Sequence, residues 1–413
     1  MAALLAVPWR THVDDLDAQM YLVIARNIAR TGHWFDLSFG PGFWPHFREH
    51  LPFGFWPAAA AIRVLGEWAV NPVYALFTLG AVAAAARIAR TLRGAWAEIA
   101  TILLLGTCEI IWHYGGRPLL EPPLLFFATA SAASAASALE GRWIAGSVFA
   151  ALATLVKGPF GLLGLACAGV VRHPLKAAVA VGAAMLPAVV FLIADPGGGW
   201  REHYFRGQVL GSASGLRTDG IALWWFPFAV VAGRFWPGLP FTLAGLWQAR
   251  RVVRLRPLAF TCIAVTALLC LPARKWGNHT YVVFPLLGAL AGCAAAGLLE
   301  RLRLLPFAVA VVACGFLASN LGARIMRAPC PFSTSLAAPL DEVPPRSPIL
   351  VVAKVPDDAA VAELAAERDL DPFPAAELPP EGPYHFAVAR EGTKPVASWN
   401  VRARGGGWLF LQR

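Results

Sequence analysis

The sequence predicts an all-α polytopic membrane protein that ends in a small C-terminal extracytoplasmic α/β domain. Apolar residues make up 57 % of the 413-residue chain and charged residues only 15 %. Soluble domains carry about 25 % charged residues, so this chain has too little charge to cover a water-facing surface. Apolar runs of helix length recur along the chain, with arginines in the short loops between them, and most of the seven cysteines lie inside these runs. These observations exclude a soluble enzyme, a disulfide-linked scaffold and a disordered chain.

The central part of the chain, residues 67–326, is predicted to form the polytopic transmembrane domain. A helix needs roughly 20 apolar residues to cross the hydrocarbon core, and about ten segments approach that length. These segments are about 70–87, 96–113, 118–139, 143–157, 159–171, 176–195, 221–248, 257–273, 280–299 and 304–325.

The arginines predict the orientation of these helices. Cytoplasmic loops carry an excess of Lys and Arg, and five basic loops alternate along the chain so that all fall on one side. They lie at 87–93, 142, 172–176, 250–256 and 301–303. The opposite, extracytoplasmic side then receives residues 10–66, 196–220, 274–279 and 327–413. Because membrane topology explains the net charge of +10, the charge does not indicate a nucleic-acid partner.

Residues 1–66 are predicted to form an extracytoplasmic loop with interfacial helices. Residues 1–8 resemble the end of a helix, so we expect that a preceding transmembrane helix is truncated at this start site. Apolar residues recur at helical spacing from Leu16 to Thr31, and Gly32 follows as a stop signal. A second stretch, 53–66, is rich in Trp, Phe and Ala and suits a helix lying at headgroup depth.

The last segment, residues 327–413, has the composition of a small soluble α/β domain. Its apolar runs shorten to strand length, and residues 359–368 read as one amphipathic helix. The predicted strands are 349–355, 384–389, 397–401 and 408–411.

Charged and polar residues are scarce, so those at the extracytoplasmic ends of the helices are candidate functional residues. The set comprises Asp14, Asp15, Asp17, Glu49, His50, Arg117, Glu121, Lys157, Arg206, Arg234, Arg274, Lys275 and His279. A carboxylate beside a cationic, membrane-level cavity suits proton transfer from an acceptor, while the cations neutralise a phosphate leaving group. Arg234 is predicted to sit inside the span 221–248, where a phosphate ligand or a partner such as Glu109 would balance its charge.

Four stretches carry a family resemblance, and they occur in the family's order over residues 15–300. They are Asp17-Ala18-Gln19-Met20-Tyr21 with Gly32-His33-Trp34, then Glu49-His50-Leu51-Pro52-Phe53, Leu155-Val156-Lys157-Gly158-Pro159, and Ala273-Arg274-Lys275-Trp276-Gly277-Asn278-His279-Thr280-Tyr281. Together they resemble the aminoarabinose-transferase-like glycosyltransferases, GT-C enzymes related to protein O-mannosyltransferases. Three positions differ from the family pattern: Ala18 replaces an acid, His50 replaces a lysine, and Glu121 stands where many relatives carry Asp.

The resemblance implies an inverting GT-C glycosyltransferase in a bacterial inner (plasma) membrane, with an active site that faces the periplasm or exterior. Its partners would be a polyprenyl-phosphate-linked sugar donor, membrane lipids, and a lipid, protein or glycan acceptor. Asp17 and Glu49 would be catalytic, with Asp17 as the general base. The donor phosphate would be bound by Lys157, Arg234, Arg274, Lys275 and Tyr281, and further site candidates are Asp15, Tyr21, His50, Arg117, Glu121 and His279.

Structural interpretations of the same residues stay open. Asp17 suits the first turn of a helix, and Lys157 suits a helix-end lysine that reaches the interface. Glu49 and His50 could be polar interface residues, and Arg274 and Lys275 interfacial anchors. No cofactor is required, although a divalent cation could bridge Glu49, His50 and an aspartate.

Two other functions also stay open. A transporter or flippase of lipid-linked sugars would carry ionisable residues near the bilayer midplane and repeated, broken helices. A non-catalytic assembly subunit with a GT-C-like fold is the other alternative, which the departures at Ala18 and His50 keep open.

Overall fold

The structure is a computed structural model in which two compact units are described. The described residues are 16–136, 142–167, 174–195, 199–216, 220–302, 334–353, 358–379, 383–393, 396–405 and 407–413. Of these, 48–54 and 71–302 belong to the first unit, which we call the membrane unit. The second, which we call the composite unit, contains 16–47, 55–70 and 334–413.

Helices make up the membrane unit. In chain order they are α3 (Val70–Arg93), α4 (Ala95–Gly106), α5 (Glu109–Tyr114), α6 (Glu121–Ala136), α7 (Arg142–Lys157), α8 (Pro174–Ala194), α9 (Phe226–Arg234), α10 (Leu239–Gln248), α11 (Arg256–Cys270) and α12 (Phe284–Leu302). The 3₁₀ segments Pro52–Gly54, Gly158–Cys167, Val253–Leu255 and Gly277–Val283 connect some of them. Between α8 and α9 lies a π-helix, Trp200–Leu210, which continues as a short turn of α-helix over Gly211–Ser214.

Four helical segments within the described residues are long and apolar enough to cross a membrane. They are Glu67–Arg93, Ile144–Leu163, Val253–Cys270 and Gly277–Leu302. Shorter apolar helices include Ala95–Gly106 and Ala178–Ala194. The predicted count of about ten spans stays a prediction, and the predicted span 304–325 lies outside the described residues.

The helix α12 packs closely against α4 because its glycines remove side chains from the contact. A Cβ added to Gly292 would overlap Thr101 Oγ1, and one added to Gly288 would overlap the Leu105 side chain. Glycines spaced four residues apart are a frequent helix-contact motif in membranes, since they let two backbones approach. The order of these contacts makes α12 antiparallel to α4.

The predicted single helix over 221–248 is two helices in the structure. α9 ends at Arg234, and α10 begins at Leu239. Proline cannot donate the backbone hydrogen bond that continues a helix, and Pro237 lies in the break while Pro240 lies in the first turn of α10. Phe235 is buried at the break, with its ring 6.0 Å from that of Phe284. Arg234 therefore terminates a helix and does not lie within one.

The composite unit combines the N-terminal helices with a mixed five-stranded sheet. The helices are α1 (Leu16–Thr31), α2 (Trp56–Leu65), α13 (Thr334–Asp341) and α14 (Asp358–Arg368). The strands are β1 (Pro348–Val352), β2 (Asp371–Ala375), β3 (Phe386–Arg390), β4 (Asn400–Gly405) and β5 (Trp408–Gln412), in the order β2-β1-β3-β5-β4. β1 pairs in parallel with β2 and β3, while β5 is antiparallel to β3 and β4.

Strand β2 was not among the predicted strands, because its sequence contains Pro372 and Pro374. Proline cannot donate to a central ladder and is tolerated on edge strands, and β2 is an edge strand. The predicted α/β character of the C-terminal segment is confirmed. Its placement outside the cytoplasm stays a prediction.

A buried arginine joins the two sequence-distant parts of the composite unit. Arg26 on α1 is 6 % exposed. Its Nε and Nη2 donate to the two carboxylate oxygens of Glu67 at 2.9 and 2.8 Å, and its Nη1 and Nη2 donate to the carbonyls of Ala365 and Ala366, both at 3.0 Å. One turn further along α1, Arg30 binds Asp369 through two hydrogen bonds of 2.8 Å. The N-terminal segment therefore packs with the C-terminal domain and is more than a loop.

Candidate functional site

A buried ion pair lies at the centre of the candidate site in the membrane unit. Glu121 begins α6 and Lys157 ends α7, where the helix dipoles favour an acid and a base respectively. Lys157 Nζ donates to Glu121 Oε1, and the two side chains are only 10 % and 3 % exposed. The sequence placed these two candidates 36 positions apart, and the fold brings them into contact.

Two structural features favour glycine at the position after Lys157. Gly158 has φ +60°, a left-handed conformation that ends α7 and that L-residues with side chains adopt rarely. A Cβ at this position would also overlap the hydroxyl oxygen of Tyr204. The Lys-Gly-Pro sequence thus ends the α-helix at Lys157. The chain continues as the 3₁₀ segment Gly158–Cys167, with Tyr204 directly against Gly158.

The segment that contains Glu49 packs beside this pair. Gly54 approaches so closely that an added Cβ would overlap Leu120, the residue before Glu121, and Tyr74 donates its hydroxyl to the Gly54 carbonyl at 3.2 Å. Glu49 itself accepts a hydrogen bond of 3.0 Å from Gln208 Nε2. Gln208 lies on the same π-helix as Tyr204, so Glu49 and the Lys157–Gly158 turn are connected through one helix.

The segment Gly277–Val283 packs against both α6 and α9 and adds aromatic candidates. Tyr281 is 4 % exposed, with its ring centroid 4.6 Å from that of Tyr114. Its hydroxyl lies within electrostatic range of Glu121 and Arg234. His279 places its ring 4.7 Å from Phe160, three residues beyond Lys157. Tyr281, Glu121, Lys157 and Arg234 therefore surround one region of the membrane unit.

Lys275 is more deeply buried than Lys157. It is 4 % exposed, and its backbone forms a two-bond bridge with Ile221 at 2.8 and 3.0 Å. In the part of the chain that the structure describes, its ammonium group forms no ion pair with a carboxylate. A buried cation is costly unless an anion or a set of acceptors compensates it, so Lys275 is suited to receive an anionic ligand.

The remaining basic candidates are more accessible. Arg234 is exposed at the end of α9. Arg274 and Arg117 are half-buried, and their backbone N–H groups donate to the carbonyls of Ser212 and Tyr114 at 3.3 and 3.1 Å. His50 is half-buried between Glu49 and Leu51.

Two candidates belong to the composite unit. Asp17 is exposed in the first turn of α1. Tyr21 is buried, with its ring packed edge-on 5.1 Å from Phe55, which is a core contact. Asp14 and Asp15 lie outside the described residues.

A metal centre has no support in the described ranges. Nowhere among those residues do three His, Cys, Asp or Glu side chains come together as a possible metal site. The sequence leaves room for a cation bridging Glu49, His50 and an aspartate without requiring one, and the described residues contain no ligand cluster for it.

Sequence reasoning missed Tyr114, Tyr204 and Gln208. Tyr204 and Gln208 lie in the segment 196–220, which the sequence predicts as an extracytoplasmic loop, and Tyr114 lies next to the predicted span 96–113. The spacing of four residues on one helix is the only sequence signal for Tyr204 and Gln208. It becomes informative only in the structure, which places Tyr204 against Gly158 and Gln208 against Glu49.

Comparison with solved structures identifies the fold. Crystal structures of ArnT from Cupriavidus metallidurans, bound to undecaprenyl phosphate and in the apo state, match with TM-scores of 0.73 and 0.75. Both are 18 % identical and the match covers 99 % of this chain and 96 % of that chain. The archaeal oligosaccharyltransferase AglB from Archaeoglobus fulgidus, in complex with an inhibitory peptide and a dolichol-phosphate, matches with a TM-score of 0.52 at 10 % identity. That match covers 91 % of this chain and 65 % of AglB.

These matches define a class of fold. No protein-family model matches the chain, and no curated protein matches it. At this level of identity, the likeness shows the fold alone. The chain is a multi-pass membrane protein with the ArnT-like GT-C architecture and a C-terminal mixed sheet, so the fold expected from the sequence is confirmed.

Proposed function

We propose that this protein is an inverting glycosyltransferase that moves a sugar from a polyprenyl-phosphate donor to an envelope lipid, protein or glycan. The observation that carries this proposal is the convergence of Lys157, Arg234 and Tyr281 around Glu121 in the membrane unit, with the buried Lys275 nearby in sequence. Cations at membrane depth are expensive unless they serve a ligand or pathway. A lipid-linked phosphate has the charge and the membrane location to compensate them.

The comparisons support the same class of donor. The ArnT structure is bound to undecaprenyl phosphate, and the AglB complex contains a dolichol-phosphate. Both are polyprenyl-type phosphates bound to proteins whose fold this chain shares. We infer that Lys157, Arg234, Arg274 and Lys275 neutralise the phosphate as it leaves, with Tyr281 as a hydroxyl donor.

In the proposed reaction, Asp17 acts as the general base. Its carboxylate takes the proton from an acceptor hydroxyl or amine while the acceptor atom bonds to the anomeric carbon of the sugar. The bond between that carbon and the phosphate oxygen breaks, and polyprenyl phosphate leaves with the electron pair. Asp17 is exposed in the first turn of α1, and a carboxylate of this kind can act as a general base.

We propose that transfer takes place on the extracytoplasmic side of a bacterial inner membrane. The support is the alternation of the basic loops, which predicts a cytoplasmic location for residues 250–256. A reporter enzyme fused after Arg413 should then be active only when the reporter works outside the cytoplasm. Activity of a cytoplasm-only reporter at that position contradicts the orientation.

The main test is sugar transfer by the purified protein in detergent. We expect transfer from a polyprenyl-phosphate sugar without a sealed bilayer, which a transporter or flippase would need. The acceptor and the sugar are identified first by mass spectrometry of envelope glycolipids and glycoproteins from cells with and without the gene.

Variants assign the roles within this assay. Removing a positioned general base costs about 10²–10⁴-fold in rate, so Asp17→Asn should abolish most transfer while donor binding persists. Arg234→Gln should weaken donor binding, and Arg402→Gln on the exposed strand β4 serves as a charge-matched control that should do neither. Near wild-type transfer by Asp17→Asn would show that another group is the general base, with Glu49 as the next candidate. Unchanged donor affinity in both Arg234→Gln and Lys275→Gln contradicts the phosphate site.

A further inference from the structure

A cluster of exposed arginines lies where α3 and α10 end. We call Arg93, Arg250, Arg251 and Arg254 the basic patch; all four are exposed. Arg93 Nη1 lies 3.5 Å from Gln248 Oε1, the last residue of α10. This contact brings the end of α3 to the loop between α10 and α11.

Contacts of Arg256 and Leu255 hold that loop in place. Arg256, at the start of α11, turns its guanidinium back and donates to the carbonyls of Ala249 and Arg250 at 3.2 and 3.0 Å. Leu255 is fully buried beneath the loop. Arg256 and Leu255 therefore hold the turn, while the residues of the basic patch stay exposed to their surroundings.

Apolar side chains that face outward border the basic patch. Leu243 and Trp247 on α10, Val253 in the loop, and Phe260 and Ile263 on α11 are between 53 % and 61 % exposed. Arg251 places its Cζ 4.8 Å from the Trp247 ring centroid. Tryptophan and arginine at the end of an apolar helix are typical of the depth of lipid headgroups.

The charge of the basic patch lacks compensation by the protein. Within the described ranges, none of its four guanidinium groups pairs with a carboxylate, and the nearby Glu98 is bound to Arg90 at 2.8 Å. Guanidinium groups bind phosphate through two parallel hydrogen bonds. Basic clusters of about four to eight residues beside a membrane helix attract anionic lipids.

The basic patch is separate from the candidate site. Gly288 of α12 meets Leu105, and Gly292 meets Thr101 nearer the start of α4, so α12 runs from the Tyr281 region towards the end of α3. With 19 residues, α12 is about 28 Å long. We propose that the basic patch binds the headgroups of anionic phospholipids in the surrounding bilayer, at a distance of about one helix length from the donor site.

Native mass spectrometry of the full-length protein in detergent tests this inference. The protein is titrated with phosphatidylglycerol or with phosphatidylcholine, at several salt concentrations. Arg251→Gln combined with Arg254→Gln removes two charges from the basic patch, and Arg402→Gln combined with Arg404→Gln removes two from exposed strand β4. We expect wild type to prefer phosphatidylglycerol. The Arg251→Gln, Arg254→Gln variant should bind this lipid about tenfold more weakly, and the Arg402→Gln, Arg404→Gln variant should match wild type.

Three results would overturn the inference. The first is equal retention of phosphatidylglycerol by wild type and the basic-patch variant. The second is displacement of bound phosphatidylglycerol by inorganic phosphate as effectively as by added phosphatidylglycerol, because the surface would then be a general anion site. The third needs no variant: a wild-type preference for phosphatidylglycerol that is unaffected between about 50 and 500 mM salt, since exposed charge contacts are screened by salt. None of these readouts depends on sugar transfer.

Discussion

Two buried basic residues, Arg26 in the composite unit and Lys157 in the membrane unit, show opposite ways of compensating a charge. Arg26 directs its guanidinium to both oxygens of Glu67 and to the carbonyls of Ala365 and Ala366. Lys157 contacts Glu121, and in the described part of the chain its ammonium group has no second hydrogen-bond acceptor.

The difference indicates different tasks. An arginine whose N–H groups are satisfied by the protein fixes structure, and these contacts join α1 to a helix about 340 positions away. A lysine has three donors, so Lys157 can bind a ligand oxygen while it stays paired with Glu121. Lys275 is buried and, among the described residues, pairs with no carboxylate, so the protein compensates its charge even less than that of Lys157.

Of the two residues compared, the larger effect is expected at Lys157, and it tests Lys157 as a ligand-binding residue. Lys157→Met should reduce transfer by about 10²–10³-fold, because one charged donor aimed at developing negative charge contributes that much. The double variant Lys157→Met with Glu121→Gln also removes the charge left unpaired, so it should recover protein stability but not transfer. Thermal unfolding and transfer rates are measured on both variants. Recovery of transfer in the double variant would make the pair structural.

The second prediction concerns Arg26. Arg26→Met should destabilise the composite unit by about 2–3 kcal/mol, because it removes the charge-assisted hydrogen bonds to Glu67, Ala365 and Ala366, while the exposed Glu67 can be solvated. Arg26→Lys keeps the charge but loses the bidentate contact with Glu67, so its stability should lie between those of wild type and Arg26→Met. Hydrogen exchange of the backbone of α14 reports the loss. Unchanged protection of α14 in Arg26→Met would contradict a structural role.

A smaller effect is expected at the turn after Lys157. Gly158→Ala combines a left-handed φ of +60° with a clash against the Tyr204 hydroxyl and should cost about 2 kcal/mol. Gly32→Ala is the matched control: Gly32 follows α1 with φ +74°, and a Cβ there would meet only Arg63 Nη1 at 3.9 Å, so only the backbone cost of about 1 kcal/mol applies. Equal melting temperatures for the two variants would show that the clash with Tyr204 is relieved at no cost.

The smallest effect is the acid sensitivity of the Arg30–Asp369 pair. Partial burial of Asp369 acts to raise the pKa of its carboxyl group, but the hydrogen bonds and charge of Arg30, with the charges of Arg26 and Arg346, outweigh it and the pKa is lowered. The pair therefore stabilises the folded state above the ordinary aspartate pKa of about 3.9, and this contribution is lost as the pH falls through the lowered pKa.

Because both side chains are about one-third exposed, we expect less than about 1 kcal/mol from this pair. Unfolding of wild type and Asp369→Asn is followed between pH 7 and pH 3. The stability difference between them should shrink as the pH falls. A difference that stays constant over this range would rule out the pair as its source.

The sequence alone determined the class of fold and most of the charged site candidates. Hydrophobic runs predict membrane helices because burying apolar residues in lipid is a local property of each segment. Charges that persist in such a chain mark Glu121, Lys157 and Lys275, since each would be costly without a partner or ligand. Glycine after Lys157 is likewise a local signal for the end of an α-helix.

Only the tertiary structure decided which of these residues meet. The contact of Gln208 with Glu49 spans 159 positions, and that of Arg26 with Ala365 spans 339. No local pattern encodes such contacts, because packing of whole helices and strands creates them. The same reason explains strand β2, whose two prolines disfavour a strand locally, while the sheet accepts them at its edge. The membrane unit and the composite unit therefore follow from the long-range packing, which a reading of consecutive segments could not supply.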